Sequence, residues 1–153
     1  MTLRIRFHPS VDPPPELIPF PASALRDTLR TEGLADEGEV NCVLTNDAEL
    51  ADLNRRFRGR TGPTDVLAFP YDPADSGGVH GDVYVSIDRA REQAAGRGEP
   101  LEREIWRLFV HGALHLAGRD HDTDEAERAM LAAQELAVER VFPGGEPPAA
   151  AGR

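Results

Sequence analysis

The sequence predicts an α+β domain with four strands and about five helices in a chain of 153 residues. Two observations predict this class. Short runs of alternating or β-branched apolar residues recur four times, and longer segments carry apolar residues at helical spacing. Glycine, proline and helix-capping residues separate the two kinds of segment. At this length we expect one domain, over residues 1–142, followed by a disordered tail rich in Pro, Gly and Ala over residues 143–153.

The four predicted strands differ in their expected burial. They are residues 2–8, 40–45, 66–69 and 81–87. The first and the last alternate apolar and polar residues, which is typical of a strand with one buried face. Residues 66–69 form a continuous apolar run, which predicts a central strand buried on both faces. The prolines at 13–15 predict a loop without a helix or strand.

Each predicted helix begins at a residue suited to a helix N-terminus. In chain order these starts are Ser23, Asn46 with Glu49 in a capping box, Ser86 or Asp88, Pro100 in the first helical position, and Asp124 with Glu127. Gly33 and Gly59 are expected to end the first two helices, and the fourth extends to about residue 117.

Composition excludes several classes of protein. The net charge of −10 argues against bulk electrostatic attraction to nucleic acid. The sequence has neither an apolar run long enough to span a bilayer nor the apolar core of a signal peptide, so we expect a soluble, cytoplasmic protein with no membrane or DNA partner. Cys42 is the only cysteine, and its apolar neighbours predict a small buried side chain.

Residues 111–121, H-G-A-L-H-L-A-G-R-D-H, hold three of the five histidines. His111 and His115 are four residues apart, so on a helix both imidazoles face the same side. Gly118 can end this helix in the left-handed conformation, which lets the chain return with His121 as a third ligand. Three imidazole nitrogens plus a water in the fourth position form the typical site of one catalytic zinc ion.

The spacing of these residues coincides with the metzincin motif H-E-x-x-H-x-x-G-x-x-H, except that Gly112 replaces the catalytic Glu. Without that base, peptidase chemistry is disfavoured, whereas hydrolysis by a zinc-bound water stays open. Two alternatives to a catalytic site are histidines of the core or surface, and a closed structural zinc site. In the structural site, Asp120 or Asp122 would be the fourth ligand.

Arg55, Arg56, Arg58 and Arg60 form the only basic cluster in the sequence. Cations stabilise a helix C-terminus, which can account for one or two of them. Guanidinium groups also bind phosphate, so the cluster indicates recognition of a phosphodiester. Asp82 is a weak candidate for a general base, and a solvated carboxylate at a strand end explains it equally well.

Three blocks of the sequence together resemble one family. They are L-N, F-R-G-R and P-T-D-V-L-A-F-P within residues 53–70, G-D-V at 81–83, and H-G-A-L-H-L with Gly118 and D-H within 111–121. In these blocks the chain resembles the YbeY family of bacterial rRNA maturation factors, which are single-strand-specific, metal-dependent endoribonucleases. Arg60 stands where the family usually has Lys, and Ala68 where it usually has Ser.

The resemblance implies a zincin-like α+β fold with a small mixed sheet, and zinc bound by His111, His115 and His121. It implies a functional arginine at Arg58, which would hold the substrate phosphate. It also implies maturation of the 3′ end of 16S rRNA and ribosome quality control, with rRNA and the small ribosomal subunit or its proteins as partners.

Two rival hypotheses remain at this point. One is a zinc hydrolase of a non-nucleic substrate such as an amide. This hypothesis is disfavoured because position 112 is Gly112 and not the catalytic glutamate. The other is a ribosome-assembly binding factor whose zinc is mainly structural and whose arginines dock rRNA or a ribosomal protein. The acidic net charge favours this second rival, because an acidic protein needs a partner to bring it to RNA.

Overall fold

The computed structural model describes residues 2–34, 37–59, 64–71 and 78–144. Within these ranges there are four strands and five α-helices, so the predicted α+β class is confirmed. The strands are β1 (Leu3–Pro9), β2 (Gly38–Thr45), β3 (Val66–Pro70) and β4 (Val79–Ser86). The helices are α1 (Ala22–Thr31), α2 (Asp47–Arg58), α3 (Ile87–Arg97), α4 (Leu101–Leu116) and α5 (Asp124–Val141).

The four strands form one mixed sheet in the order β1-β2-β4-β3. β1, β2 and β4 are parallel, and β3 runs antiparallel to β4. β3 is therefore an edge strand, and the predicted central position of residues 66–69 is wrong. Its apolar run has another cause: α4 packs against one side of β3 and α2 against the other, so both faces of an edge strand are covered.

Several predicted helix starts are confirmed. Asn46 caps α2 by accepting a hydrogen bond from the Glu49 backbone N–H at 2.9 Å. The Glu49 carboxylate, however, accepts from the Thr45 hydroxyl. Ser86, and not Asp88, caps α3 by accepting from the Arg89 N–H at 3.2 Å.

Other predicted starts are displaced by one or two residues. Pro21 occupies the N-cap of α1, and Ser23 lies inside its first turn. Pro100 is the N-cap of α4, since its extended ψ of 149° precedes the first helical residue. Thr123 caps α5 by accepting from the Ala126 N–H, one residue before the predicted start at Asp124.

The prolines at 13–15 were predicted to form only a loop, but a short 3₁₀ helix occurs at Pro15–Leu17. Its Leu17 is fully buried, so burial of one apolar side chain accompanies this turn. Arg60 and most of the predicted tail, residues 145–153, lie outside the described residues.

Helix α4 lies at the centre of the packing, against the sheet face opposite α2. Trp106 and Phe109 of α4 are fully buried among aromatic rings that include Phe20. Gly112 lets the helix approach β4 closely, because a Cβ there would lie 2.4 Å from Val83 Cγ1. The core thus packs the last two turns of α4, which carry the two histidines, against the sheet.

Cys42 of β2 is fully buried, as predicted. Burial, and secondarily the negative charge of Asp82, raises the pKa of its thiol well above the ordinary range. Among the described helices, none is both long and apolar enough to cross a bilayer.

Candidate metal centre

The last two turns of α4 present two imidazoles side by side. The rings of His111 and His115 are nearly parallel, at 6°, and their centroids are 6.4 Å apart. His115 is exposed, whereas His111 is half-buried. The predicted pair on one helical face is therefore present in the structure.

The loop after α4 turns back and places a third imidazole beside these two. Gly118 follows the C-cap of the helix with a φ of +109°, a conformation that favours glycine. The Arg119 N–H returns a bond to the Leu114 carbonyl, and the Arg119 guanidinium pairs with Glu32 at 2.7 Å. The ring centroid of His121 then lies 6.3 Å from that of His111 and 5.9 Å from that of His115.

The three imidazoles fit a zinc ion in chemistry, and nearly so in spacing. Zinc bound at about 2.0–2.1 Å by three imidazole nitrogens holds ring centres roughly 5 Å apart, somewhat closer than the rings lie here. As placed, no three His, Cys, Asp or Glu side chains of the described ranges are close enough to hold a metal ion. The match therefore lies in the chemistry of the donor set, three imidazoles, which is that of a catalytic zinc site.

The histidines line an open cleft of about 190 Å³ that also contains the guanidinium of Arg58. Arg58 is the last residue of α2, on the other side of the sheet, and its side chain reaches around the edge strand β3. Arg58 Nη2 donates to the Ala68 carbonyl at 2.9 Å, and the guanidinium carbon lies 5.7 Å from the centre of the Phe69 ring. Because β3 is an edge strand, a side chain from α2 can enter the cleft beside it.

The neighbouring arginines have different partners. Arg55 and Arg56 both pair with Asp52, one turn earlier on α2. Arg56 also lies over the Phe57 ring. These two arginines therefore match the alternative in which cations belong to a solvated helix end, and Arg58 is the member of the described cluster that lines the cleft with the histidines.

Asp82 lies away from the histidines. On β4 it alternates with Val83, whose side chain contacts α4, so Asp82 points to the opposite face of the sheet. There it accepts hydrogen bonds from Asn41 and Tyr71, and the bond to Asp82, together with burial, raises the pKa of Tyr71 to about 12. The structure thus argues against the weak assignment of Asp82 as a general base for this cleft.

Two polar residues of the site were missed from the sequence. Asp65 lines the cleft directly before β3, and Gln93 of α3 donates to its Oδ2 at 3.2 Å. Gln134 of α5 is buried, and its Oε1 lies 2.8 Å from His111 Nδ1. A polar residue within the apolar stripe of α5 was the available signal for Gln134, and for Asp65 it was its place in the P-T-D-V-L-A-F-P block.

The carboxylates beside His121 do not enter the cleft. Neither Asp120 nor Asp122 lines it. Asp120 Oδ1 instead accepts the Asp122 backbone N–H at 3.2 Å, which stabilises the turn before α5. This placement gives no support to a closed site with either residue as fourth ligand.

Residues 16–141 match the family model described as Endoribonuclease YbeY. The chain belongs to this family. Relatives named Endoribonuclease YbeY include one from Bacillus licheniformis, 40% identical over 119 residues, which are 71% of this chain and 75% of the relative. Another, from Moorella thermoacetica, is 42% identical over 130 residues, which are 78% of this chain and 83% of the relative.

A solved structure supports the fold of this YbeY-family chain. The solution structure of TM1509 from Thermotoga maritima is similar with a TM-score of 0.59 at 30% sequence identity. The similarity covers 92% of this chain and 89% of TM1509. The predicted family and enzyme class, an endoribonuclease, are confirmed by the family membership.

Proposed function

We propose that this chain is a zinc-dependent, single-strand-specific endoribonuclease in the cytoplasm, with one hydrolase domain over residues 1–142. Its proposed roles are 3′-end maturation of 16S rRNA and ribosome quality control at the small ribosomal subunit. The observation that carries the proposal is the cleft that brings three imidazoles together with the guanidinium of Arg58. Membership of an endoribonuclease family supports the same proposal.

His111, His115 and His121 would hold the metal. A zinc ion held there would supply Lewis-acid chemistry toward an oxygen of the scissile phosphate. Gly112 contributes no base, and the close contact with Val83 leaves no room for a side chain there. This packing disfavours the alternative of an amide hydrolase built like a metzincin.

Arg58 would bind the scissile phosphate. A guanidinium makes charge-assisted, often bidentate, bonds to phosphate oxygens, and these bonds strengthen as negative charge develops in the transition state. The bond to the Ala68 carbonyl and the contact with the Phe69 ring orient the guanidinium before substrate arrives. Such preorganisation lowers the cost of ordering a long side chain.

Asp65 is the candidate proton acceptor in the cleft. Its Oδ2 accepts from Gln93 Nε2, and its Oδ1 would take a proton from the water whose oxygen attacks phosphorus while the bond from phosphorus to the leaving oxygen breaks. The side chain lines the same cleft as the histidines and Arg58.

Cleavage of a single-stranded RNA oligonucleotide by purified full-length variants tests the proposal. Arg58→Ala is expected to lower the cleavage rate at least about 100-fold, because it removes a preorganised charge at the phosphate. Its zinc content and unfolding curve should match the wild type. His115→Ala should lose both zinc and cleavage.

Arg56→Ala is the matched control, since Arg56 lies on the same helix end but pairs with Asp52. We expect it to cleave within about twofold of the wild type, because surface ion pairs contribute little. Equal rates for the Arg58 and Arg56 variants would remove Arg58 from the mechanism.

The binding-factor alternative keeps one supporting observation, the net charge of −10. A protein of this charge is not drawn to RNA by its overall field. If metal-loaded wild-type protein cuts no RNA but co-sediments with small ribosomal subunits, this alternative is the correct one.

A further inference from the structure

His111 lies at the boundary between the open cleft and the buried interface of α4 with α5. Its Nδ1 faces Gln134 Oε1 at 2.8 Å. Taken alone, this contact has two interpretations. An imidazole nitrogen donates or accepts according to its tautomer, and an amide can present either its oxygen or its NH₂ group.

The neighbours of Gln134 remove the ambiguity. Gln134 Nε2 lies 2.9 Å from Glu135 Oε2, and the same carboxylate accepts from Arg107 Nε at 2.9 Å and Nη2 at 3.1 Å. Arg107 can only donate, and an ionised carboxylate can only accept. The amide of Gln134 must therefore turn its NH₂ toward Glu135 and its oxygen toward His111.

Glu135 is ionised at neutral pH, as this chain of bonds requires. Burial opposes its ionisation, but the hydrogen bonds from Arg107 and Gln134 outweigh burial and hold its pKa below the ordinary value. Arg107 is itself held in place by Glu99 and Glu104, and its side chain is 3% exposed. Arg107 is thus a buried cation that can only donate, and it fixes the direction of the hydrogen bonds that connect it through Glu135 and Gln134 to His111.

We propose that Gln134 is a positioning residue that fixes neutral His111 with its proton on Nδ1 and its lone pair on Nε2, facing the cleft. The hydrogen bond made by one ring nitrogen decides which nitrogen remains free for a metal. The inference rests on the proposed metal centre, because the Nε2 lone pair is the group that would bind zinc.

The tautomer can be measured directly in the metal-free protein. In full-length protein with ¹⁵N-labelled histidine, the ¹⁵N shifts of neutral His111 should show its proton on Nδ1. In Gln134→Leu, which removes the acceptor, the proton should move largely to Nε2. A wild-type His111 protonated on Nε2 would overturn the proposal.

Zinc affinity, measured by competition with a chromophoric chelator, gives a second readout. Loss of a partner that orients a metal ligand typically weakens binding about 10- to 100-fold, and we expect this range for Gln134→Leu. Glu135→Gln should weaken zinc binding about tenfold, because a neutral amide at 135 no longer dictates the orientation of Gln134.

Glu139→Gln is the matched control for Glu135→Gln. Both carboxylates are on α5, both pair with a buried arginine of α4, and their side chains are 52% and 48% exposed. Glu139 pairs with Arg103, which has no bond to the histidines in the described structure. Its variant should bind zinc within twofold of the wild type.

Equal zinc affinities for the 135 and 139 variants would show that Gln134 only fills space, and would overturn the proposal even if Gln134→Leu fails to fold. Failure of the proposed function gives a different pattern. The wild type would then show the Nδ1 tautomer and the expected order of zinc affinities, but would not cleave RNA.

Discussion

The two halves of α4 carry polar residues at the same spacing, but the environments of these side chains differ. Arg103, Arg107, His111 and His115 follow one another at four-residue intervals, so they form one stripe along the helix. In the first half both arginines are buried and paired with carboxylates. In the second half the imidazoles open into a cleft.

The difference comes from what covers each half. Helix α5 places Glu139 beside Arg103, Glu135 beside Arg107 and Gln134 beside His111. Among the described residues that line the cleft, none belongs to α5. A polar stripe becomes a structural ion-pair network where a second helix supplies carboxylates, and a candidate ligand set where it does not.

The largest effect on stability is expected from Arg107→Met in the buried half. Removal of one partner leaves Glu104, whose side chain is 1% exposed, without its principal counter-charge. We expect a loss of about 3–5 kcal/mol in the free energy of unfolding. Urea unfolding can be followed by the fluorescence of Trp106, the only tryptophan, which is buried between α4 and α5.

His115→Ala is the counterpart in the open half. Because His115 is exposed, the metal-free variant should unfold within about 0.5 kcal/mol of the wild type. A loss below about 1 kcal/mol for Arg107→Met would show that both halves of the stripe are alike in stability, contrary to the comparison.

The sequence alone could predict the open half but not the buried one. The spacing of His111, His115 and Gly118 specifies a local geometry, which depends on helix periodicity and one turn. The partners of Arg107, in contrast, include Glu135, 28 positions away, and their proximity depends on how α5 packs. Charges of this kind are usually expected at the surface.

The same reason explains the other differences between prediction and structure. Asp65 enters the cleft, and Gln134 meets His111, only through tertiary packing, so local sequence could not specify their partners. The apolar run of β3 correctly indicated two covered faces but not its place at the sheet edge, since strand order is a property of the whole sheet. The start of α1 was displaced because Pro21, and not Ser23, takes the N-cap, and the start of α4 because Pro100 is the N-cap and not the first helical residue.

An intermediate effect on stability is expected from a substitution at Gly112, where α4 packs closely against the sheet. A Cβ there would lie 2.4 Å from Val83 Cγ1 and 3.0 Å from Val66 Cγ2, on two stiff β-branched side chains. We expect Gly112→Ala to lower the free energy of unfolding by about 1–2 kcal/mol, because overpacking exceeds the gain in helix propensity. Zinc affinity should fall as well, since α4 must shift away from β4.

Gly96→Ala is the matched control, because Gly96 lies within α3 and a Cβ there meets nothing within 4 Å. It should stabilise the protein by up to about 1 kcal/mol. If both glycine variants are stabilised, the close approach at Gly112 does not hold α4 in place.

The smallest effect concerns the pH dependence of the buried half. The pKa of Glu135 lies below its ordinary value of 4.5 in the folded protein, since bonds from Arg107 and Gln134 outweigh burial. A carboxyl group that binds protons more weakly when folded stabilises the protein above its unfolded pKa, and this contribution is lost as the pH falls below about 4.5. Glu104 acts in the opposite direction, because burial raises its pKa.

Comparing the wild type with Glu135→Gln isolates the contribution of Glu135, because both proteins retain Glu104. At pH 7 the wild type should be the more stable, by less than about 1 kcal/mol, since the Glu135 side chain is 48% exposed and water screens the pair. This difference should shrink when urea unfolding is repeated at progressively lower pH below about 4.5, as the wild-type carboxylate takes up a proton. A difference that stays constant from pH 7 to pH 3 would mean that Glu135 acts through packing and not through its charge, and the ion-pair character of the covered half would then rest on Glu99, Glu104 and Glu139.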